Sequence, residues 1–123
     1  KIINLDEFLK FFYKKYTGIL IEESLKNKEI IKDLTVTNLK VTDDENPSDR
    51  WHIYTVSVTR DEIKKIQQNM AEGKWYTHFI SGDEVILVYK DKMFEYKMTD
   101  KVEHAKAVEY GRSIGIPEEQ LDF

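Results

Sequence analysis

The hydrophobic and polar positions of this 123-residue chain change period several times along its length, and each change marks an element. The clearest block is residues 75–98, WYTHFISGDEVILVYKDKMFEYKM, where two runs rich in aromatic and β-branched residues flank Gly82-Asp83 and a third follows Asp91-Lys92. Gly82-Asp83 suits a two-residue hairpin loop, because glycine takes the positive φ that such loops demand. That turn sets Tyr76 opposite Tyr89, His78 opposite Leu87 and Ile80 opposite Val85. A second two-residue turn at Asp91-Lys92 sets Tyr89 opposite Phe94, Leu87 opposite Tyr96 and Val85 opposite Met98. Cross-strand partners share a face, so these residues form one almost wholly apolar surface, the expected core. The opposite face carries Trp75, Thr77, Phe79, Ile86, Val88, Lys90, Met93, Glu95 and Lys97. It is too apolar for a face left to water, and a further segment, a partner or a second copy is expected to cover part of it.

Elsewhere the pattern switches between helical and extended periods. Asn4 and Glu7 make a capping box, with Ile3 and Phe8 placed as its hydrophobic staple. Leu5, Phe8, Leu9, Phe12 and Tyr16 recur at helical spacing, which predicts a helix over about 5–17 stopped by Gly18, with Ile19 folding back. Residues 20–33 permit a short second helix through Leu25, Ile30, Ile31 and Leu34, with Leu20 and Ile21 open to an extended entry. Residues 34–41 and 51–58 read as strands that form a hairpin across the acidic, proline-containing loop 43–50. A second capping box, Thr59 with Glu62, opens a helix bearing Ile63, Ile66 and Met70, which Gly73 ends. The last helix, about 101–114, is capped by Thr99 or Asp100. It turns Ala107, Val108, Gly111 and Ile114 inward with His104 alongside, and stops at Gly115 before Pro117. Pro117 then starts one further helical turn.

This order predicts an α+β fold in a single domain, residues 1–123: a mostly antiparallel sheet of about four or five strands, with the N- and C-terminal helices packed on its apolar face. Strand order stays open, including a parallel pairing of 51–58 with the meander through the intervening helix.

Composition narrows the chemistry. There is no cysteine, so disulfides and thiolate chemistry are excluded, and any zinc site must use histidine and carboxylate ligands. The formal charge of −4 argues against broad contact with a phosphate backbone. No apolar run approaches the roughly 20 residues that span a bilayer, no secretory signal pattern is present, and a cytoplasmic location is expected. The chain starts at Lys1 rather than Met, and whether an initiator or a leader precedes it stays open.

No motif commits the chain to a reaction, and no catalytic residue, cofactor or metal is called for by spacing alone. The histidines come first, because imidazole titrates near neutrality and is the commonest metal ligand. His52, His78 and His104 have no close local spacing, but His78 on the core face and His104 on the inner side of the last helix are candidates for a shared ligand or metal site. Against that stands the commoner role of a half-buried histidine with one hydrogen bond. Asp83-Glu84 suits a turn tip, Glu95 an ion pair with Lys90 or Lys97, and Asp43-Asp44-Glu45 a solvated loop without the alternation of a calcium site. No nucleophile elbow and no glycine-rich phosphate loop is present. Trp75, Phe79 and Lys97, with Lys64, Lys65, Lys74, Lys90 and Lys92, resemble in kind a stacking platform with a basic rim.

The stretch HFISGDEVILVYKDKMFEYKMTDK followed by AVEYGRSIGIPEEQLDF is similar to a family of small uncharacterised prokaryotic proteins. The similarity rests on the alternation around Gly82-Asp83, the turn Lys90-Asp91-Lys92, and the ending from Tyr110-Gly111 through Ile116-Pro117-Glu118-Glu119-Gln120-Leu121-Asp122-Phe123. It covers about residues 76–123, and the N-terminal half only through a helix of Glu-Phe-Leu type. It implies a complete small protein and carries no activity. The leading expectation is therefore a non-enzymatic interaction module that uses Trp75, Phe79, Ile86, Val88 and Met93, with a homodimer or another protein as partner and no membrane. The alternatives are a small-ligand or metal-dependent enzyme built on His78 and His104, and single-stranded nucleic-acid binding at Trp75 and the nearby lysines, the less favoured of the two.

Overall fold

A computed structural model describes residues 4–123, apart from the side chains of Phe11 and Phe12. Ile3 of the expected staple and the Phe12 side chain therefore lie outside the described residues. The elements are α1 (Leu5–Tyr13), β1 (Lys15–Ile21), β2 (Thr35–Val41), β3 (His52–Thr59), α2 (Arg60–Gln68), β4 (Tyr76–Ser81), β5 (Glu84–Tyr89), β6 (Met93–Lys97) and α3 (Lys101–Ser113). Single turns of tighter helix lie at Glu22–Ser24, Pro47–Asp49 and Glu118–Gln120, and a longer one at Lys28–Asp33. The class is α+β, as expected. The sheet has six strands rather than four or five, all pairs antiparallel, in the order β2-β3-β1-β4-β5-β6.

The extra strand is β1, which runs from residues read as the end of the first helix, through its stop, into the extended entry at Leu20 and Ile21. The Asn4 side chain does cap α1, accepting from the Glu7 N–H at 2.9 Å, but the helix ends at Tyr13. From Lys15 the chain alternates: Tyr16, Gly18 and Leu20 are buried, whereas Lys15, Thr17 and Ile19 face outward. Gly18 is not a left-handed helix stop. It lies in the middle of the sheet, opposite Val56 on one side and Phe79 on the other. A methyl group there would stand 2.3 Å from a ring carbon of Phe79 and 2.5 Å from the His78 carbonyl oxygen, so only glycine lets the three strands close up. With β1 between them, β3 and β4 are not neighbours, and no parallel pair forms through α2.

The meander has the expected first hairpin. Tyr76 pairs with Tyr89, His78 with Leu87 and Ile80 with Val85, and Gly82 has a φ of 59°. The second hairpin is displaced: Val85 pairs with Tyr96 and Leu87 with Phe94. Its turn starts one residue earlier than expected: Lys90-Asp91 lie between Tyr89 and Lys92, and the Tyr89 N–H donates to the Lys92 carbonyl at 2.8 Å. The displacement is two residues, one full strand period, so every side chain keeps its predicted face.

Both faces are covered. Phe79, Ile86 and Val88 are 0–1% exposed and pack with Tyr16, Leu20, Val56 and Val58 beneath Ile63, Ile66 and Met70 of the α2 segment and Leu25 and Ile31 of the loop after β1. The capping box of α2 is present, with the Thr59 hydroxyl accepting from the Glu62 N–H and the Glu62 carboxylate accepting from the Thr59 N–H. On the other face, Val85, Leu87, Tyr89 and Tyr96 pack against Ala107 of α3, Ile116 and Leu121. α3 is capped by Asp100 and stops at Gly115, whose φ is 90°.

The two terminal helices do not share a face. α1 stands beside α2, with Leu5, Phe8, Leu9 and Tyr13 between 40% and 70% exposed. Glu95 is paired with Arg60, not with Lys90 or Lys97, and Arg60 also donates to the Tyr16 hydroxyl at 3.1 Å. Among the described residues no helix is long and apolar enough to cross a membrane.

Candidate functional site

α3 covers only the β5–β6 half of its face. Over β4 the cover is the C-terminal segment, which follows the stop at Gly115 and Pro117 and runs across Tyr76 and His78. The Tyr76 hydroxyl donates to the Gln120 carbonyl. The Phe123 ring lies 5.0 Å from Tyr76, 6.3 Å from His78 and 5.5 Å from His104, between ring centroids. On either side of this segment the face opens into a hollow.

The larger hollow is a cleft of about 420 Å³ between the segment and the starts of β3 and β4. Its apolar wall is Ile19, Ile21, Trp51, Trp75 and Tyr76, and its polar rim includes Lys74, His78, Glu119 and Asp122. Trp51 and Trp75 meet at 5.4 Å between ring centroids with a 59° tilt. The floor is held by the Thr77 hydroxyl, which donates to the Ile19 carbonyl across the β1–β4 seam. Burial holds the His78 imidazole below its ordinary pKa, and the Asp122 carboxylate pulls in the opposite sense. The Tyr76 hydroxyl is pushed up by burial, with Asp122 adding to the effect.

The smaller hollow, about 220 Å³, lies on the other side of Phe123 and is walled by His78, Tyr96, Met98 and His104 among others. The structure thus brings His78 and His104 to one cavity. The Tyr96 hydroxyl sits 3.1 Å from His104 Nδ1, and burial raises the pKa of that hydroxyl. The Phe123 ring contacts both imidazoles.

The residues expected on a partner-facing surface separate into two groups. Phe79, Ile86 and Val88 are core, because the chain's own α2 covers them. That is a correction: no partner reaches these side chains in this fold. Trp75 and Met93 are half-buried against the same core, and Trp75 keeps an edge in the cleft. Of the lysines weighed beside Trp75, Lys74 shares its cleft, Lys90 is paired with Glu72 at 2.5 Å and Lys65 with Asp61 at 3.7 Å.

Trp51 and Asp122 were not singled out by sequence reasoning for this site. Trp51 lies 24 positions before Trp75, and only the insertion of β1 between β3 and β4 makes them neighbours. The useful signal was the open half of the sheet face, which a correct strand count reveals. His52 sits apart from the other histidines, against Glu22 and Glu23 at the end of β1. Compared with protein-family models, with curated proteins and with solved structures, the chain shows no significant match.

Proposed function

We propose that the protein is a small-ligand-binding module, acting by recognition rather than by bond-making, and that the cleft beneath the C-terminal segment is its binding site. This keeps the non-enzymatic module expected from the sequence but moves its working surface from Phe79, Ile86 and Val88 to Trp51, Trp75, Tyr76 and His78. The supporting observation is the composition of the cleft. At about 420 Å³ it is the size of a small-molecule site, with aromatic walls and a few convergent polar groups. Trp51 offers an accessible indole face for stacking. With one lysine and two carboxylates at the rim, the cleft favours a flat, neutral or cationic ring over an anion.

The test is a fragment library of flat heterocycles followed by two-dimensional NMR. Binding fragments are expected to shift the indole N–H signals of Trp51 and Trp75 together with the His78 amide, and Trp51→Ala is expected to abolish those shifts. Fragments that bind elsewhere, that leave these signals unmoved, or that bind Trp51→Ala equally well would refute the assignment.

A further inference from the structure

The end of β1 holds a second constellation that the cleft does not use. β1 stops at Ile21 opposite Ile53, and the turn Glu22–Ser24 folds the next two residues back beside His52. Ser24 locks that turn: its hydroxyl donates to the Ile21 carbonyl at 2.6 Å, and its own carbonyl accepts from the Ala71 N–H at 2.7 Å. The two adjacent carboxylates then converge on a single imidazole nitrogen. Glu23 Oε2 lies 3.0 Å and Glu22 Oε2 3.6 Å from His52 Nδ1.

The other oxygen of each carboxylate is held from behind. Glu23 Oε1 accepts from the His52 backbone N–H at 2.6 Å, and Glu22 Oε1 accepts from the Tyr54 hydroxyl at 3.2 Å. The inner oxygens are therefore aimed by a backbone amide and by the Tyr54 hydroxyl, much as ligating carboxylates in metal sites are held. One donor atom from each of the three residues lies within 4.8 Å of the others.

We propose that Glu22, Glu23 and His52 form a site for a divalent transition-metal ion of the zinc type, with Tyr54 and the His52 amide as positioning groups. Ligand atoms about 2.1 Å from a metal stand about 3.0 Å apart at a right angle and about 3.4 Å apart at a tetrahedral angle. The observed 3.0 and 3.6 Å match those separations with little movement. Among the described residues, no lysine or arginine forms an ion pair with Glu22 or Glu23, so no fixed positive charge balances the two carboxylates. A divalent ion neutralises both. One nitrogen with two oxygens suits zinc, cobalt or manganese better than magnesium or calcium, which favour all-oxygen shells. All three side chains are between 20% and 39% exposed, which leaves the remaining coordination positions to water.

The simpler alternative is a protonated His52 bridging two carboxylates with no metal, and the experiment separates the two. The metal-free chain is titrated with Zn²⁺ by calorimetry, with Mg²⁺ and Ca²⁺ run in parallel. The expected result is one Zn²⁺ per chain at micromolar concentration and no response to the other two ions. Tyr54→Phe, which removes only the outer hydrogen bond, should weaken binding about tenfold. His52→Ala and the double variant Glu22→Gln/Glu23→Gln should abolish it, while His78→Ala and His104→Ala leave it intact. Co²⁺ in the wild-type chain supplies a readout independent of variant folding: paramagnetic broadening should centre on the amides of Glu22, Glu23 and His52. No stoichiometric Zn²⁺ binding, broadening centred on His78 or His104, or affinity unchanged in a folded His52→Ala variant would each overturn the proposal.

Discussion

Replacing Gly18 with alanine tests whether β1 is a central strand seated against Phe79. The new methyl group meets two obstacles, the Phe79 ring at 2.3 Å and the His78 carbonyl oxygen at 2.5 Å. Neither yields freely. Phe79 is fully buried, and His78 belongs to the strand that β1 pairs with. Two effects then compete. Alanine restricts the unfolded chain, which stabilises a protein by about 0.4–1 kcal/mol where the native backbone accepts it. Overpacking a closed interior costs about 1–3 kcal/mol. The clash is the larger, so the net expectation is a loss of about 1–2 kcal/mol. Urea unfolding followed by circular dichroism should show the midpoint falling by about 0.5–1.5 M with an unchanged slope. The cause is checked by a cycle with Phe79→Leu. Removing the ring relieves one of the two contacts, so the double variant should be less destabilised than the sum of the singles by at least about 0.5 kcal/mol. A midpoint at or above wild type, or strict additivity in the cycle, refutes the packing described for β1. A helix ending at Gly18 predicts no coupling to Phe79 at all.

Two further outcomes follow from the cover of the faces and from His78. Ile66→Ala, at a fully buried position of α2, should cost about 2–5 kcal/mol in the same urea assay. Leu9→Ala on the exposed α1 should cost under about 1 kcal/mol, and equal losses would contradict the assignment of α2 as the lid. His78 sits in a folded state that resists its protonation, so its pKa lies below the ordinary 6.5. Above that value both states hold a neutral ring and the full stability is present. As the pH falls below it, the unfolded chain takes the proton first, and stability declines until the folded pKa is passed. The drop in urea midpoint between about pH 7.5 and about pH 5.5 should therefore be smaller in His78→Gln than in wild type, and an equal or larger drop would contradict the burial of that ring.

The meander was legible because its information is local. Glycine at position 82 and the alternation on either side define the first hairpin within a few residues, and the faces of all three strands follow from the period of two. The position of the second turn escaped the sequence, since Tyr89-Lys90-Asp91-Lys92 holds no residue that dictates a turn type. It moved the register by one whole period and left the faces intact. The helix caps at Asn4, Thr59 and Asp100 were equally local, each a side-chain oxygen within three residues of the N–H it accepts from.

What tertiary structure alone decided was the state of residues 14–21, and with it both candidate sites. Tyr16 satisfies a helical spacing and a strand alternation alike, and helix propensities differ by only up to about 0.7 kcal/mol per residue among such side chains. As a strand, the same segment buries Tyr16 and Leu20 completely, worth about 1.5–3 kcal/mol for each large apolar side chain, and pairs on both edges. Those gains exist only when β3 and β4 are already in place to receive it, so no window of local sequence contains them. The same insertion brings Glu22 and Glu23 to His52 and Trp51 to Trp75. Partners 24 to 30 positions apart become neighbours through pairing with a strand whose first residues the periodicity assigns to a helix.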